Sequence, residues 1–453
     1  QDTEPQVRRE ATAAAAALQD TAAIRRLTRA AMRDAHPAVR HEAVRVSAAR
    51  LSGARGCGPV AAAVRDPGLH VSVLAIDLLG TTCRSGEHAA LLDSVAATGS
   101  DDSWHRAAHA VVSFAAVAPA RAQPHVRSLA QHASPFARTY AARAAAATND
   151  TTLLHTLAGD TSANVRTAAI LGLSAVAGRA GDSVYVAQLG SDDSELLMMA
   201  AKALEGSTSP GTAVRLLDAL DRVTALRRET SRDGRVALLE RVQELGSEDL
   251  AERLTPYLRD FDAVVAVHAA AVLAAWTGIR PPTAPVALPQ LPLPTFTGAV
   301  QLTRSVFVLE MQDGGEIEIR LLPFDAPTNA ARFARLARSG YFDGLTIHRI
   351  VPNFVVQGGS PGANEYAGDG PFTRDELGVP NWRGTVGLST RGRDTGDAQF
   401  YINLIDNVRL DHDYTVFGVV TNGMDVVDRL MEGAVIRRVR EQSVRLPAAA
   451  DHR

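Results

Sequence analysis

Thr346-Ile347-His348-Arg349-Ile350-Val351-Pro352-Asn353-Phe354-Val355-Val356-Gln357-Gly358-Gly359 is the stretch from which the fold is read. Its first half alternates β-forming residues with His348 and Arg349. After Pro352 it runs through Phe354-Val355-Val356 and stops at Gln357 and two glycines. Alternation puts successive side chains on opposite faces of a strand, so Arg349 and Gln357 are expected to project from neighbouring strands beside the Phe354 ring. A permanently charged group with five donors, a neutral amide and an aromatic wall suit a neutral carbonyl lying next to an apolar ring. Gly358 and Gly359 serve backbone geometry.

Other blocks flank this one in order: Asn329-Ala330-Ala331-Arg332-Phe333, Tyr341-Phe342-Asp343-Gly344, Gly384-Thr385-Val386-Gly387-Leu388-Ser389, Ala398-Gln399-Phe400-Tyr401-Ile402 and Val416-Phe417-Gly418. From about Val306 to Ile436 the chain thereby resembles the cyclophilins, the cyclosporin-binding family of peptidyl-prolyl isomerases. The resemblance implies an eight-stranded β-barrel with two helices, spanning 298–440. The residues agree locally. Val306–Glu310 and Glu316–Arg320 alternate around Asp313-Gly314-Gly315, which predicts a hairpin. Thr328 is expected to cap a helix over Asn329–Ser339, with Ala330, Phe333, Ala334 and Leu336 apolar, and a second helix fits Gly423–Met431.

The resemblance further implies rotation about X-Pro peptide bonds, with no cofactor and no metal. By resemblance Arg349, Phe354 and Gln357 are catalytic, and His348, Val355, Thr390, Gln399, Tyr401, Leu410 and Tyr414 bind substrate. Arg349 would donate to the prolyl nitrogen, and Gln357 would hydrogen-bond the substrate backbone. Phe354, Val355, Tyr401 and Leu410 would form the proline pocket, with His348 shaping its rim. Three departures from the family stand out. The loop Thr390–Ala398 is shorter, and Arg391 and Arg393 are expected to crowd it. Arg409 replaces the tryptophan that contacts cyclosporin in many eukaryotic members, so weak cyclosporin binding is expected. Tyr401 and Tyr414 stand where phenylalanine and histidine are frequent, and the Tyr401 hydroxyl needs a partner at the pocket wall. Gly362-Ala363-Asn364-Glu365-Tyr366-Ala367-Gly368-Asp369-Gly370 lacks the strand-to-helix context and lysine of a phosphate loop; it reads as a surface loop bordering the peptide groove.

Upstream, Pro281, Pro282, Pro285, Pro289, Pro292 and Pro294 mark 279–297 as a linker, a semi-rigid tether or a strap along one domain. Before it, 1–278 carries a recurring pattern of a turn, Val-Arg or a relative, and an alanine-rich helix. Copies are Pro5-Gln6-Val7-Arg8, Pro37-Ala38-Val39-Arg40, Ser134-Pro135-Phe136-Ala137-Arg138 and Ser162-Ala163-Asn164-Val165-Arg166, with weaker ones after Asp66, Asp101, Asp192 and Asp260. A period of about 30 residues with two helices per unit marks an all-α solenoid resembling short HEAT repeats, of which roughly eight fit. The acid ahead of each Val-Arg helix is expected to be its N-cap, and the arginine to reach the equivalent acid of the next unit. Such surfaces usually bind proteins, although a plain spacer remains an alternative. The arginine-dense stretch Asp218–Asp249 (Arg222, Arg227, Arg228, Arg232, Arg235, Arg241) departs from the period. It reads as a solvated helix face, with an irregular repeat or a docking ridge as alternatives.

Cys57 and Cys83, the only cysteines, fall in loops of successive repeats that should lie side by side. Either they form a possible disulfide, implying an oxidising compartment, or they are two unrelated buried thiols. No CxxC or Cys/His cluster suggests a metal. The 453 residues are 46% hydrophobic and 21% charged with net charge −3. Lys202 is the only lysine among 47 basic residues, which are scattered and matched by 50 acids, so nucleic acid is not an expected partner. No apolar run approaches the ~20 residues of a membrane-spanning helix, so direct membrane insertion is not expected. Gln1 in place of methionine fits a removed export signal or a trimmed chain. Together with the cysteine loops it favours a bacterial extracytoplasmic, periplasmic location over a cytoplasmic one. The residues 441–453 read as a C-terminal tail.

Two functions fit. The first is an isomerase acting on proline-containing protein clients recruited by a protein-binding solenoid. The second is a non-catalytic scaffold using both domains within a larger assembly. Arg349, Phe354 and Gln357 favour the first; the short 390–398 loop and Tyr401 keep the second open.

Overall fold

The computed structural model describes residues 2–51, 57–98 and 104–443. Its contacts divide the chain into two compact units, Gln1–Val184 and Tyr185–Arg453.

In the first unit, six helices pack in sequence: Pro5–Ala14, Pro37–Leu51, Leu69–Gly80, Trp104–Val117, Pro135–Ala147 and Ala163–Ala177. Each of the last five also packs against the shorter helix just before it. Val39, Ile76, Leu79, Val111, Leu154 and Leu173 are among the buried apolar residues, with alanines where helices approach closely. The expected arginine ladder is present in three copies. Arg8 Nε pairs with Asp34 at 2.7 Å, Arg40 Nε with Asp66 at 2.8 Å and Arg138 Nε with Asp160 at 2.7 Å. Each arginine's Nη1 also donates to the carbonyls five and six residues before it, for example Arg40 to Ala35 and Asp34. In the Asp66 and Asp160 copies the acid is not the N-cap, whereas Asp193 and Asp262 do cap their helices. Asp66 and Asp160 accept the amides of Gly68 and Ser162 in Asx turns, and those two residues are the caps. From two residues farther out the acid still faces the neighbouring arginine, as the N-cap Asp262 does with Arg232 through its second oxygen. Cys57 and Cys83 are bridged, with Cα atoms 5.7 Å apart. The copy expected after Asp101 begins outside the described residues.

The second unit begins with further helices. Arg232–Leu245 packs against Ser194–Ala203, Thr212–Ala225 and Ala263–Thr277. Most arginines of the Asp218–Asp249 stretch are not a solvated face. Arg235 is fully buried and pairs with Asp260 at 2.8 Å beneath the Phe261 ring. Arg232 pairs with Asp262 at 2.6 Å, and Arg222 with Asp192. A buried guanidinium needs such pairing to offset its desolvation. Residues 279–295 carry no regular structure, and the amides of Ala284 and Val286 bond to Leu258 and Asp260.

After the helix Phe296–Leu302 comes an antiparallel sheet of eight strands: β1 (Ser305–Met311), β2 (Glu316–Leu321), β3 (Ile347–Val351), β4 (Val355–Gly358), β5 (Thr385–Leu388), β6 (Phe400–Asn403), β7 (Val416–Asn422) and β8 (Ile436–Ser443). Their order is β3-β4-β6-β5-β7-β2-β1-β8. The start of β3 and the residues just before β8 bond to each other, through a Thr346–Val435 bridge and the Ile347 amide on the Ala434 carbonyl at 2.7 Å, so the sheet curls edge to edge. The β1–β2 hairpin turns on Gly314 and Gly315, at φ +91° and +98°. The helix Pro327–Arg338 buries Ala330, Phe333, Ala334 and Leu336 against Phe307, Phe400 and Phe417. Thr328 does not cap it. The carboxylate of Glu376 accepts the Thr328 and Asn329 amides at 2.9 and 3.0 Å, a remote acid doing what a local hydroxyl was expected to do. The second helix is a single turn, Met424–Val427. Residues 441–443 continue β8 beside β1, and 444–453 lie outside the described residues.

Candidate functional site

The cross-strand partner of Arg349 on β3 is Gln357 on β4, and the partner of Gln357 on β6 is Tyr401. The register therefore brings three of the expected residues into one row across three strands. Arg349 Nη1 donates to Gln357 Oε1 at 3.2 Å, while its Nε lies 3.3 Å from the Glu365 carboxylate. Gln357 is 3% exposed, and its Nε2 donates to Ser389 Oγ at 2.9 Å and Gln399 Oε1 at 3.2 Å. Arg349 has a side chain 41% exposed, so it is open to solvent at the site.

Beside this polar row lies an apolar one. Val355, Tyr401 and Leu410 form a buried cluster, with Phe354 and Tyr414 packed half-buried against it. The turn Pro352–Phe354 puts Asn353 at φ +58°, and the Phe354 carbonyl accepts from Leu404 N and Asn407 Nδ2 at 2.9 and 3.0 Å. The ring is thereby held at the pocket edge, with the Arg409 guanidinium 4.1 Å above it. The Tyr401 hydroxyl does have a partner, Asn381 Oδ1 at 2.6 Å. Its ring requires Gly387 on β5, where any Cβ would come within 2.2 Å of the tyrosine. Gly359, at φ +88°, lies so close to the Ala398 carbonyl that a Cβ would sit 2.5 Å from it.

His348 is buried, and that burial, with Arg349 adjacent, lowers its pKa to about 4. It is a neutral packing group at physiological pH. Thr390 is half-buried at the start of the 390–398 loop, and Gln399, at its end, is 1% exposed and donates to the Ala367 carbonyl at 2.9 Å. The arginines of that loop are otherwise engaged than expected. Arg391 pairs with Asp233 at 2.8 Å and is largely buried, and Arg393 bonds to Asp413 and the His412 carbonyl. Both have carboxylate partners outside the loop, which a reading of the loop by itself does not reveal. Among the described residues no group of three His, Cys, Asp or Glu side chains is arranged to hold a metal ion. Sequence reasoning passed over Ser389, Asn381 and the role of Glu365. The first two are visible only from the sheet register, and Glu365 only from the fold of its loop.

What this arrangement can do is bind a carbonyl and an adjacent small apolar ring, with a cationic donor beside them. Residues 306–448 match the family described as cyclophilin type peptidyl-prolyl cis-trans isomerase/CLD. The chain is 38% identical over 133 residues to peptidyl-prolyl cis-trans isomerase B of Bacillus subtilis, covering 29% of this chain and 93% of that protein. It is 34% identical over 144 residues to a peptidyl-prolyl cis-trans isomerase of Helicobacter pylori, covering 31% and 88%. With peptidyl-prolyl cis-trans isomerase A of Dickeya dadantii it shares 36% over 151 residues, covering 31% and 80%. A crystal structure of a cyclophilin type isomerase of Cryptosporidium parvum matches at 20% identity and TM-score 0.29, over 31% of this chain and 98% of that one.

Proposed function

We propose, from the premise that this chain belongs to the cyclophilin-type peptidyl-prolyl cis-trans isomerase family, that its isomerase acts on X-Pro bonds of protein clients recruited by the preceding helices. The activity is peptidyl-prolyl cis-trans isomerisation. Its barrier, about 18–20 kcal/mol for a peptide bond, comes from amide resonance, and it makes the uncatalysed step take tens to hundreds of seconds. No bond is made or broken. Catalysis needs the proline held while the preceding carbonyl swings, and it needs the nitrogen lone pair drawn out of resonance. Val355, Tyr401 and Leu410, edged by Phe354, hold the ring. Arg349 donates to the prolyl nitrogen, an interaction that strengthens only as the amide twists and so favours the transition state. Gln357 keeps the arginine aimed, and with both its N–H donors held by Ser389 and Gln399 only its Oε1 has capacity left for a client amide; His348, neutral, shapes the rim.

The observation that carries this reading is the Arg349–Gln357 pair beside the Val355–Tyr401–Leu410 pocket. Its test is isomerisation of an Ala-Pro peptide by the purified chain and by Arg349→Ala. Loss of activity in a folded variant supports the role; unchanged turnover removes it.

The helical part we read as HEAT-like repeats whose surface binds a protein partner, supported by the stacked helix pairs and the arginine ladder. Pull-down of the same client by wild type and by a surface-charge variant of that part tests it. We also infer a bacterial, extracytoplasmic setting, supported by the Cys57–Cys83 bridge. Thiol alkylation and mass measurement with and without reductant would find two free thiols in the native protein if that inference were wrong.

A further inference from the structure

The two polar residues of the site are tied to the preceding helices through Gln399 and, beyond it, by side chains to which no substrate role is assigned. One path starts at Asp193, the N-cap of the helix Ser194–Ala203. Its Oδ1 accepts from Leu196 N at 2.9 Å and its Oδ2 from Asn364 Nδ2 at 2.9 Å. Asn364 Oδ1 accepts the amides of Tyr366 and Ala367 at 2.9 and 3.1 Å, which sets the Ala367 carbonyl to receive Gln399 Nε2 at 2.9 Å. Gln399 Oε1 accepts from Gln357, and Gln357 Oε1 accepts from Arg349.

The second path starts at Asp233, in the helix Arg232–Leu245, 2.8 Å from Arg391 Nε. Arg391 Nη1 donates to the Glu365 carbonyl at 2.5 Å and lies 3.4 Å from Asp397 Oδ2. Asp397 Oδ1 accepts from Gln399 N at 2.8 Å, and the Glu365 carboxylate reaches Arg349. Farther along the same loop, the Phe372 amide donates to Glu229, and the Arg232 guanidinium lies 5.1 Å from the Phe372 ring.

Relative strengths decide which contacts orient Arg349. Its ion pair with Glu365 joins side chains 41% and 47% exposed, and such pairs contribute little. Gln357, Asp397 and Gln399 are 3%, 1% and 1% exposed, and buried, fully bonded networks are stiff. The aim of Arg349 therefore depends on the buried path, and that path ends on the helices.

Resting on the isomerase reading above, we propose that Asp193 and Asp233 are positioning residues: from the helical segment they hold loops 360–372 and 390–398, and through them Gln399, Gln357 and Arg349. Neither touches substrate. The isomerase site is thus complete only with the helices that precede it, and a partner that displaces those helices alters turnover.

The test uses the full chain. Asp193→Ser keeps a good N-cap residue while removing the oxygen that holds Asn364, so it is the variant expected to fold. Asp233→Ala removes the second path and Asp233→Glu restores its charge. Isomerase kcat and KM are measured on an X-Pro peptide, with folding checked by circular dichroism. The proposal expects kcat to fall roughly 2- to 30-fold in Asp193→Ser and Asp233→Ala, with Asp233→Glu recovering most of the loss. It is overturned if wild type is active and folded Asp193→Ser retains full kcat, or if only KM moves. An inactive wild type would instead sink the isomerase reading, so the two failures are distinguishable.

Discussion

Replacing Tyr401 by phenylalanine separates what the pocket needs from what it merely contains. The ring lines the proline site, whereas the hydroxyl points to Asn381 Oδ1 at 2.6 Å from a residue 4% exposed. That oxygen has a second donor, Asn403 Nδ2 at 3.1 Å. The variant therefore loses one hydrogen bond without orphaning its acceptor. The cost is the net value of a buried bond, about 1 kcal/mol, and not the ~1–3 kcal/mol of a stranded group. For a unit of this size that lowers Tm by about 2–4 °C. The ring, its edge contact with Tyr414 at 6.0 Å and the fit over Gly387 are kept, so kcat/KM should change less than about twofold, since no transition-state contact is removed. Thermal melting and the peptide isomerase assay read the two numbers. A loss well above 3 kcal/mol would refute the hydrogen-bond argument, and a tenfold change in kcat/KM would refute the claim that only the ring serves substrate.

Burial, then Asp193 and Glu365, raise the Glu195 carboxyl to about 7, above the unfolded value near 4.3. The folded chain holds a proton there that the unfolded chain has lost, so stability falls as pH rises from ~4.3 to ~7, by on the order of 2 kcal/mol. Glu195→Gln should remove that dependence, and parallel urea midpoints for variant and wild type at pH 5 and 8 would contradict it. Opening the Cys57–Cys83 bridge, which spans 26 residues, should cost about 3–4 kcal/mol, read as a lower unfolding midpoint in Cys57→Ala/Cys83→Ala; an unchanged midpoint would contradict it. Because Arg409 covers the Phe354 ring, cyclosporin should inhibit poorly. Arg409→Trp should tighten inhibition by roughly tenfold, about 1.4 kcal/mol, and unchanged inhibition would argue against that assignment.

The strands around Arg349 and Gln357 were legible from their alternating β-forming residues and bounding turn residues, although burial there does not alternate and all four residues of β4 are buried. That alternation also marked Phe354 and Val355 and the hairpin at Gly314–Gly315. The arginine ladder was legible in outline because the Val-Arg pattern recurs with acids ahead of several copies, although the paired residues lie 26, 26 and 22 positions apart. The detail of its acids was not. An Asx turn and an N-cap use the same residue types two positions apart, and only backbone geometry separates them. Thr328 misled for a different reason: the helix start bonds Glu376, and nothing local to residue 328 announces an acid that far along the chain. Arg391 and Asp233 are 158 residues apart, as far beyond local pattern as Asn364 and Asp193. The contacts that tie the site to the helices were thus the least readable, because they depend on packing between segments and not on the periodicity of either.

Catalysis as proposed depends most directly on Arg349, and protease-coupled isomerisation of an Ala-Pro peptide by the full chain and by Arg349→Ala tests it. The wild type should accelerate isomerisation clearly, and the variant should lose roughly 10²- to 10³-fold in kcat/KM, the loss of one preorganised donor. Its circular dichroism should be unchanged, since the residue is partly exposed on β3. A folded variant as active as wild type would contradict the mechanism, and a folded wild type without activity would leave a cyclophilin-shaped binding module.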